Sequence, residues 1–243
     1  MIRLDMQQGS EEWRRVRMGK PTASEFHRIL TPGGKPSKSA EGYLYSLLAE
    51  LMLGRPLDAP SYPWMQRGHD LESDAALWYE MQCDVTTEIV GFCTTDDGTV
   101  GASPDRLVGD DGQLELKCPS PETHVRYLLF PQKGVDAEYR VQVQGQLYVT
   151  KRAWCDVVSY HPDLPSVIVR VERDEEYIAL LAEALTTFCA QLAEGKAELE
   201  RRGLLKVEGE RTSTRTRRPS TEHQRPMTFN EQILHYLDHG MRD

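Results

Sequence analysis

The chain predicts an α/β (α+β) domain in which helices flank a central mixed sheet. Three observations predict it. Helix-period stretches open and close the sequence, short runs rich in β-branched residues cluster in its middle, and one helix-spaced stretch interrupts those runs. A length of 243 residues suits one large domain, or one domain with an appendage, and a hydrophobic share of 39% supplies a core.

Taken in order, residues 9–30 predict two short helices. Ser10 caps the first, and Thr22 with Glu25 makes a capping box for the second, where Phe26, Ile29 and Leu30 recur at helical spacing. Gly and Pro punctuate a loop over 31–39. A helix from Ala40 to Leu53 follows, with Tyr43, Leu44, Leu47, Leu48 and Leu51 on one face and Gly54 as its stop. After a second loop, a helix starting near Arg67 turns Leu71, Ala75, Trp78 and Tyr79 inward. Three strands come next, "VTTEIVGFCT", "TVGASPDRLV" and "QLELKCP", the last two joined at the turn signal "DDG". In "AEYRVQVQGQLYVT", Tyr139, Val143 and Leu147 recur with a helical period, although the β-branched residues leave a strand open. Two more strands and a long amphipathic helix over 174–202 close the domain. We place the domain at 1–208, a basic, apolar-poor linker at 209–226, and a short helical segment at 227–243 carrying Phe229, Ile233 and Leu237.

No run of apolar residues reaches the roughly 20 that a spanning helix needs, and the first residues lack the apolar stretch of a secretory signal. The expected location is cytoplasmic. Five dispersed cysteines form no C-x-x-C pair, which argues for free thiols and against structural zinc. The net charge of −9 disfavours a basic nucleic-acid coat but not a nuclease, whose metal-binding acids add negative charge.

The hairpin "SPDRLVGDDGQLELKCPS" concentrates the chemistry. On a strand Glu115 and Lys117 share one face while Leu114 and Leu116 share the other. Across the turn, Asp105 falls close enough in register to meet Glu115. Paired carboxylates suit a hard cation such as Mg²⁺, which activates water and offsets phosphate charge. A lysine beside them orients the nucleophile or stabilises charge on phosphorus. The plainer reading is a solvated, salt-bridged hairpin face. Pro104-Asp105…Glu115-Leu116-Lys117 fits the P-D…E-x-K pattern of the PD-(D/E)XK nucleases.

The order and spacing of "RMGKPTASEFHRIL", "RGHDLESDA", "ASPDRL", "LELKCP", "YRVQVQGQLYVT" and "VERDEEYI" make the resemblance more specific. From about Trp13 to Leu205 the chain resembles the phage lambda exonuclease family, the YqaJ-type viral recombinase branch of that superfamily. The resemblance implies a restriction-endonuclease-like core and a metal-dependent 5′→3′ exonuclease on linear double-stranded DNA. Such an enzyme releases 5′-mononucleotides and leaves 3′ single-stranded overhangs for annealing. It also implies roles. Asp105, Glu115 and the Leu116 backbone carbonyl would hold Mg²⁺, with Mn²⁺ as a substitute. Glu72 would serve the same site from a helix, Lys117 would position the attacking water, and Gln142 would touch the site with Tyr139 one turn before it. Arg17, Ser24 and Ser103 would receive a 5′-phosphate, and Met65 would wedge the duplex end. By resemblance the partners are 5′-phosphorylated duplex DNA, a single-strand annealing recombinase and two further copies in a homotrimeric ring, in the bacterial host cytoplasm and away from any membrane. His69 is expected at the surface, as is Gln144, or else at an interface. The alternatives are a duplex- or structure-specific endonuclease of the same fold and a non-catalytic DNA-binding module.

Overall fold

The computed structural model describes residues 1–57 and 63–205, with the side chains of 63–70 and 136–138 excepted. A five-stranded sheet forms its centre. It comprises β2 (Thr87–Ile89), β5 (Arg106–Val108), β6 (Gly112–Lys117), β7 (Trp154–His161) and β8 (Leu164–Glu172), in the order β2-β5-β6-β7-β8. Only β6 and β7 pair in parallel, so the sheet is mixed. A parallel pair needs a crossover. It is supplied by α4 (Pro121–Leu129), α5 (Pro131–Glu138) and α6 (Arg140–Thr150). A small sheet of β1 (Ile2–Leu4), β3 (Phe92–Thr94) and β4 (Gly101–Ala102) lies beside them.

Both faces of the large sheet are covered. Leu114, Leu116 and Val158 pack with Ala75, Ala76 and Tyr79 of α3 (Pro63–Cys83). On the other face Cys155, Val157, Val169 and Val171 meet Val143 and Leu147 of α6 and Ile178 of α7 (Glu175–Arg201). A third cluster joins α2 (Ala40–Leu53), α6 and α7 around Phe26, Leu47, Leu181 and Phe188. By length and composition α7 would also suit a membrane span. It instead buries Tyr177, Ile178, Leu181, Leu185, Phe188 and Leu192 and leaves Glu183 and Glu194 exposed, as a core helix does.

Several local expectations change. Ser10 caps α1 (Glu11–Arg17) as read, accepting from the Trp13 amide at 3.1 Å. The Thr22–Glu25 capping box does not form. Residues 23–28 make a 3₁₀ helix, and the Thr22 hydroxyl accepts from Arg17 instead. The stretch read as "VTTEIVGFCT" divides into β2 and β3, which belong to different sheets; the break falls at Val90-Gly91, where Gly91 lies against the Met6 backbone. "TVGASPDRLV" divides likewise into β4 and β5 at Ser103-Pro104-Asp105, since proline brings no amide for a ladder. The hairpin bends at Gly109, at φ 52°, while Gly112 of "DDG" already pairs with Val108 in β6. α4 and α5 arise where no element was read; each starts with a proline at its first position, where a missing amide costs nothing. α3 begins at Pro63, four residues before Arg67. The stretch Arg140–Thr150 is helical, and Gln144 is buried within it. All five cysteines are free. The linker and terminal helix expected over 209–243 lie outside the described residues.

Candidate active site

β6 is the spine of the site. Its alternation sends Leu114 and Leu116 to α3 and Glu115 and Lys117 to α6. Continuing the β5–β6 register, in which Arg106 faces Leu114, sets Asp105 opposite Glu115. Directly opposed residues hold their Cβ atoms about 4.5–5.5 Å apart. The Leu116 amide donates to Asp105 Oδ2 at 2.6 Å, so the aspartate occupies a place a ladder bond would otherwise take. Gln8 fixes the bend from outside, its Nε2 donating to the carbonyls of Pro104 at 2.9 Å and Val90 at 2.8 Å.

Glu115 is only 2% exposed, and a carboxylate so buried needs partners. Oε1 accepts from Lys117 Nζ and from Gln142 Nε2, each at 2.6 Å, and Oε2 accepts from Gln146 Nε2 at 2.6 Å. Lys117 Nζ also lies 4.8 Å from the centre of the Tyr139 ring. Burial alone would lower the lysine's pKa, but the charges of Glu115 and Asp105 outweigh it and push the ammonium up. For Asp105, burial and then the charge of Glu115 drive the carboxyl well above its ordinary range, against the pull of Lys117 and the Leu116 amide; Glu72 adds a smaller upward push. Two acids are therefore held together at an electrostatic cost that a divalent cation would relieve.

The donor set fits such an ion. Among the described residues no three His, Cys, Asp or Glu side chains converge. Two carboxylates completed by carbonyl, water and phosphate oxygens is the pattern Mg²⁺ favours, because it keeps much of its hydration.

A second cluster lies just upstream. Arg17 Nη1 reaches Ser103 Oγ at 3.4 Å, and Nη2 reaches Thr22 Oγ1 at 3.2 Å and Ser24 Oγ at 3.4 Å. Trp13 donates to Ser103 Oγ at 2.9 Å and stacks under the guanidinium at 4.0 Å. Burial lowers the Arg17 pKa. The guanidinium thus sits among neutral hydroxyls at long distances, a fork ready for an anion. Ser103 and Asp105 flank Pro104, so one bend carries a residue of each cluster.

The structure thus brings Asp105, Glu115, Lys117, Gln142 and Tyr139 together, and Arg17 with Ser24 and Ser103. Glu72 is felt by Asp105 but completes no three-acid group. The side chains of Met65 and His69 lie outside the description. Gln144 is no surface residue: its Nε2 donates to the Glu172 carbonyl at 2.8 Å and its Oε1 accepts from the Asp174 amide at 2.9 Å, tying α6 to the start of α7. Sequence reading missed Gln146. Its signal was the four-residue step from Gln142, which on a helix puts both amides on one face.

Residues 12–153 match the YqaJ-like viral recombinase domain. The chain belongs to that family. Among solved structures, the chain is similar to an alkaline exonuclease (LHK-Exo) from Laribacter hongkongensis at 33% identity, covering 80% of this chain and 98% of that one, with a TM-score of 0.71. The same enzyme in complex with dAMP matches at 34% identity with equal coverage and TM-score. A phage-related exonuclease from Haemophilus somnus 129PT shares the fold at 15% identity and a TM-score of 0.60, over 74% of this chain and 96% of that one. No curated protein matches the chain. The mixed sheet and its flanking helices are accordingly those of the PD-(D/E)XK fold.

Proposed function

We propose that this YqaJ-type exonuclease degrades one strand of linear double-stranded DNA from a phosphorylated 5′ end. It releases 5′-mononucleotides and leaves a 3′ overhang for strand annealing. The observation that carries the reading is the apposition of Asp105 and Glu115, with Lys117 bonded to Glu115 from the same strand and Gln142 and Gln146 of α6 holding the carboxylate. The alkaline exonuclease relative supports it, as does the dAMP held by that relative, a nucleotide of the class the reaction would release.

Asp105, Glu115 and the Leu116 carbonyl would hold Mg²⁺, or Mn²⁺ in its place, and Glu72 would serve a second ion. Bound there, the ion would lower the pKa of a water and offset charge on the phosphate. The chain's own groups do the remainder. Lys117, kept protonated by its acidic neighbours, acts as a cationic donor that orients the water and the phosphoryl oxygens. Gln142, half-exposed, faces the same space, and Tyr139 backs the lysine. Water oxygen joins phosphorus, the bond to the 3′ oxygen breaks, and that oxygen ends with a proton. The strand left behind carries a new 5′-phosphate, which Arg17, Ser24 and Ser103 would receive before the next cycle. This end-binding pocket favours an exonuclease over an endonuclease of the same fold. By family resemblance we place Met65 at the duplex end, three copies in a ring, and a single-strand annealing recombinase as partner in the bacterial host cytoplasm.

Lys117→Ala tests the chemistry. Nucleotide release from linear duplex should vanish while DNA binding, read by anisotropy, persists. Digestion at the wild-type rate would remove Lys117 from the mechanism.

A further inference from the structure

Beneath Glu115 runs a buried chain of polar side chains for which the proposed reaction has no use. Gln146, 1% exposed, donates from Nε2 to Glu115 Oε2 at 2.6 Å. Its Oε1 accepts from Gln113 Nε2 at 3.1 Å, and the Thr150 hydroxyl lies 2.9 Å from both Gln113 Oε1 and the Gln146 carbonyl, which share its one proton. Gln113 and Thr150 are buried as well. None of the three can touch a substrate. The chain has one sense only: turning the Gln146 amide over would set its nitrogen against the Gln113 nitrogen and its oxygen against a carboxylate oxygen. Buried amides whose donors and acceptors are all matched hold a single arrangement.

We propose that Gln146, oriented by Gln113 and Thr150, is a positioning residue that fixes which oxygen of Glu115 faces the reaction centre. Oε2 is retained against α6, and Oε1 is presented on the side of Lys117 and Gln142. The two glutamines, one turn apart, thereby divide the carboxylate: Gln142 faces the open site and Gln146 acts from behind. The inference rests on the proposed cation-dependent reading of the same site. Partners behind a metal-holding carboxylate typically change metal affinity or activity about 10–100-fold.

Gln146→Met keeps the volume and removes the hydrogen bonds. Gln144→Met serves as control, since it removes equally buried bonds from the same helix, but at Glu172 and Asp174. Mn²⁺ binding by calorimetry, on full-length protein without DNA and below the melting point of each variant, is the readout. Gln146→Met should bind Mn²⁺ about 10-fold more weakly, and the Mg²⁺ concentration for half-maximal nucleotide release should rise in parallel, with rate regained at saturation. Gln144→Met should melt earlier yet bind Mn²⁺ as the wild type does. Should Gln146→Met fail to fold, Thr150→Val cuts the chain further back and should weaken Mn²⁺ binding in the same direction. Wild-type affinity in the folded Gln146 variant, or in Thr150→Val when the former does not fold, overturns the proposal, as does an equal loss in the Gln144 control. A wild-type protein that binds no Mn²⁺ overturns it together with the functional reading; intact wild-type binding and release confine the failure to Gln146.

Discussion

Asp105 is raised well above the usual carboxylate range by burial and by Glu115, and this sets a sign for stability. A carboxyl whose pKa is higher folded than unfolded favours folding only while protonated. Its support is complete below the unfolded pKa and disappears as pH rises through the folded one. In EDTA the wild type should therefore lose stability relative to Asp105→Asn, which can still accept from the Leu116 amide, as pH rises from the acidic range, whatever the other carboxylates contribute to both. Near neutral pH the variant should melt higher, by roughly 2–4 °C for each kcal/mol relieved, and Mg²⁺ should raise the melting temperature of the wild type alone. Equal melting curves in EDTA across pH would contradict the apposition. Arg17 carries a second prediction at this scale. With Arg17→Ala, the preference for 5′-phosphorylated over 5′-hydroxyl ends should disappear in initial-rate assays; an unchanged preference removes Arg17 from the pocket. Period-two alternation made Asp105, Glu115 and Lys117 legible in advance, because a strand leaves no freedom over which side chains share a face. Gln146 was not legible in the same way. Its stretch is rich in valine, and only once the helix is chosen do residues 142 and 146 fall into line.

The elements are positioned by close approach as much as by pattern. α6 lies against the 3₁₀ helix over 23–28 with Gly145 on Phe26: a Cβ there would stand 2.5 Å from the ring. Gly145 lies between Gln144 and Gln146, so any side chain at this position pushes the helix that carries both Glu115-binding glutamines. Gly145→Ala should destabilise the fold by about 1–3 kcal/mol, the usual cost of overpacking, and should lower nucleotide release even where the protein remains folded. Full activity with unchanged melting would show that the fit is looser than the structure has it. Element types were largely readable from sequence; element limits were not. The two long strands read over 85–108 each split between sheets at a glycine or proline, since a hydrophobic run does not tell which neighbour a strand will pair with. α4 and α5 escaped notice because they are short and start at prolines, which resemble loop punctuation until the helix that follows is seen. The capping box failed for a tertiary reason: the Thr22 hydroxyl was taken by Arg17, a residue of the proposed phosphate pocket.

At the scale of the whole molecule, the acidic balance and the proposed task are reconciled by segregation. The chain as a whole carries a net charge of −9, while Arg17 and Lys117 stand in the two clusters at the bend. A binder of this kind works locally, and its activity should fall with salt less steeply than that of a protein coating many phosphates. The basic stretch 209–226 bears on this. Deleting residues 209–243 should leave nucleotide release on linear DNA intact if the stretch is a linker, and should flatten the salt dependence if it grips phosphates; comparing the two chains from low to moderate salt distinguishes these, with light scattering on the same samples testing the proposed ring of three. Family membership was visible from a handful of segments in order. The proposed assembly was not, because a ring would leave no periodic trace in one chain.

The most direct measurement is release of mononucleotides from 5′-phosphorylated linear duplex and from closed circular duplex, with Mg²⁺ and with EDTA. The account predicts release from the linear form alone, abolished by EDTA. Release that survives EDTA, or equal attack on the closed circle, would contradict it.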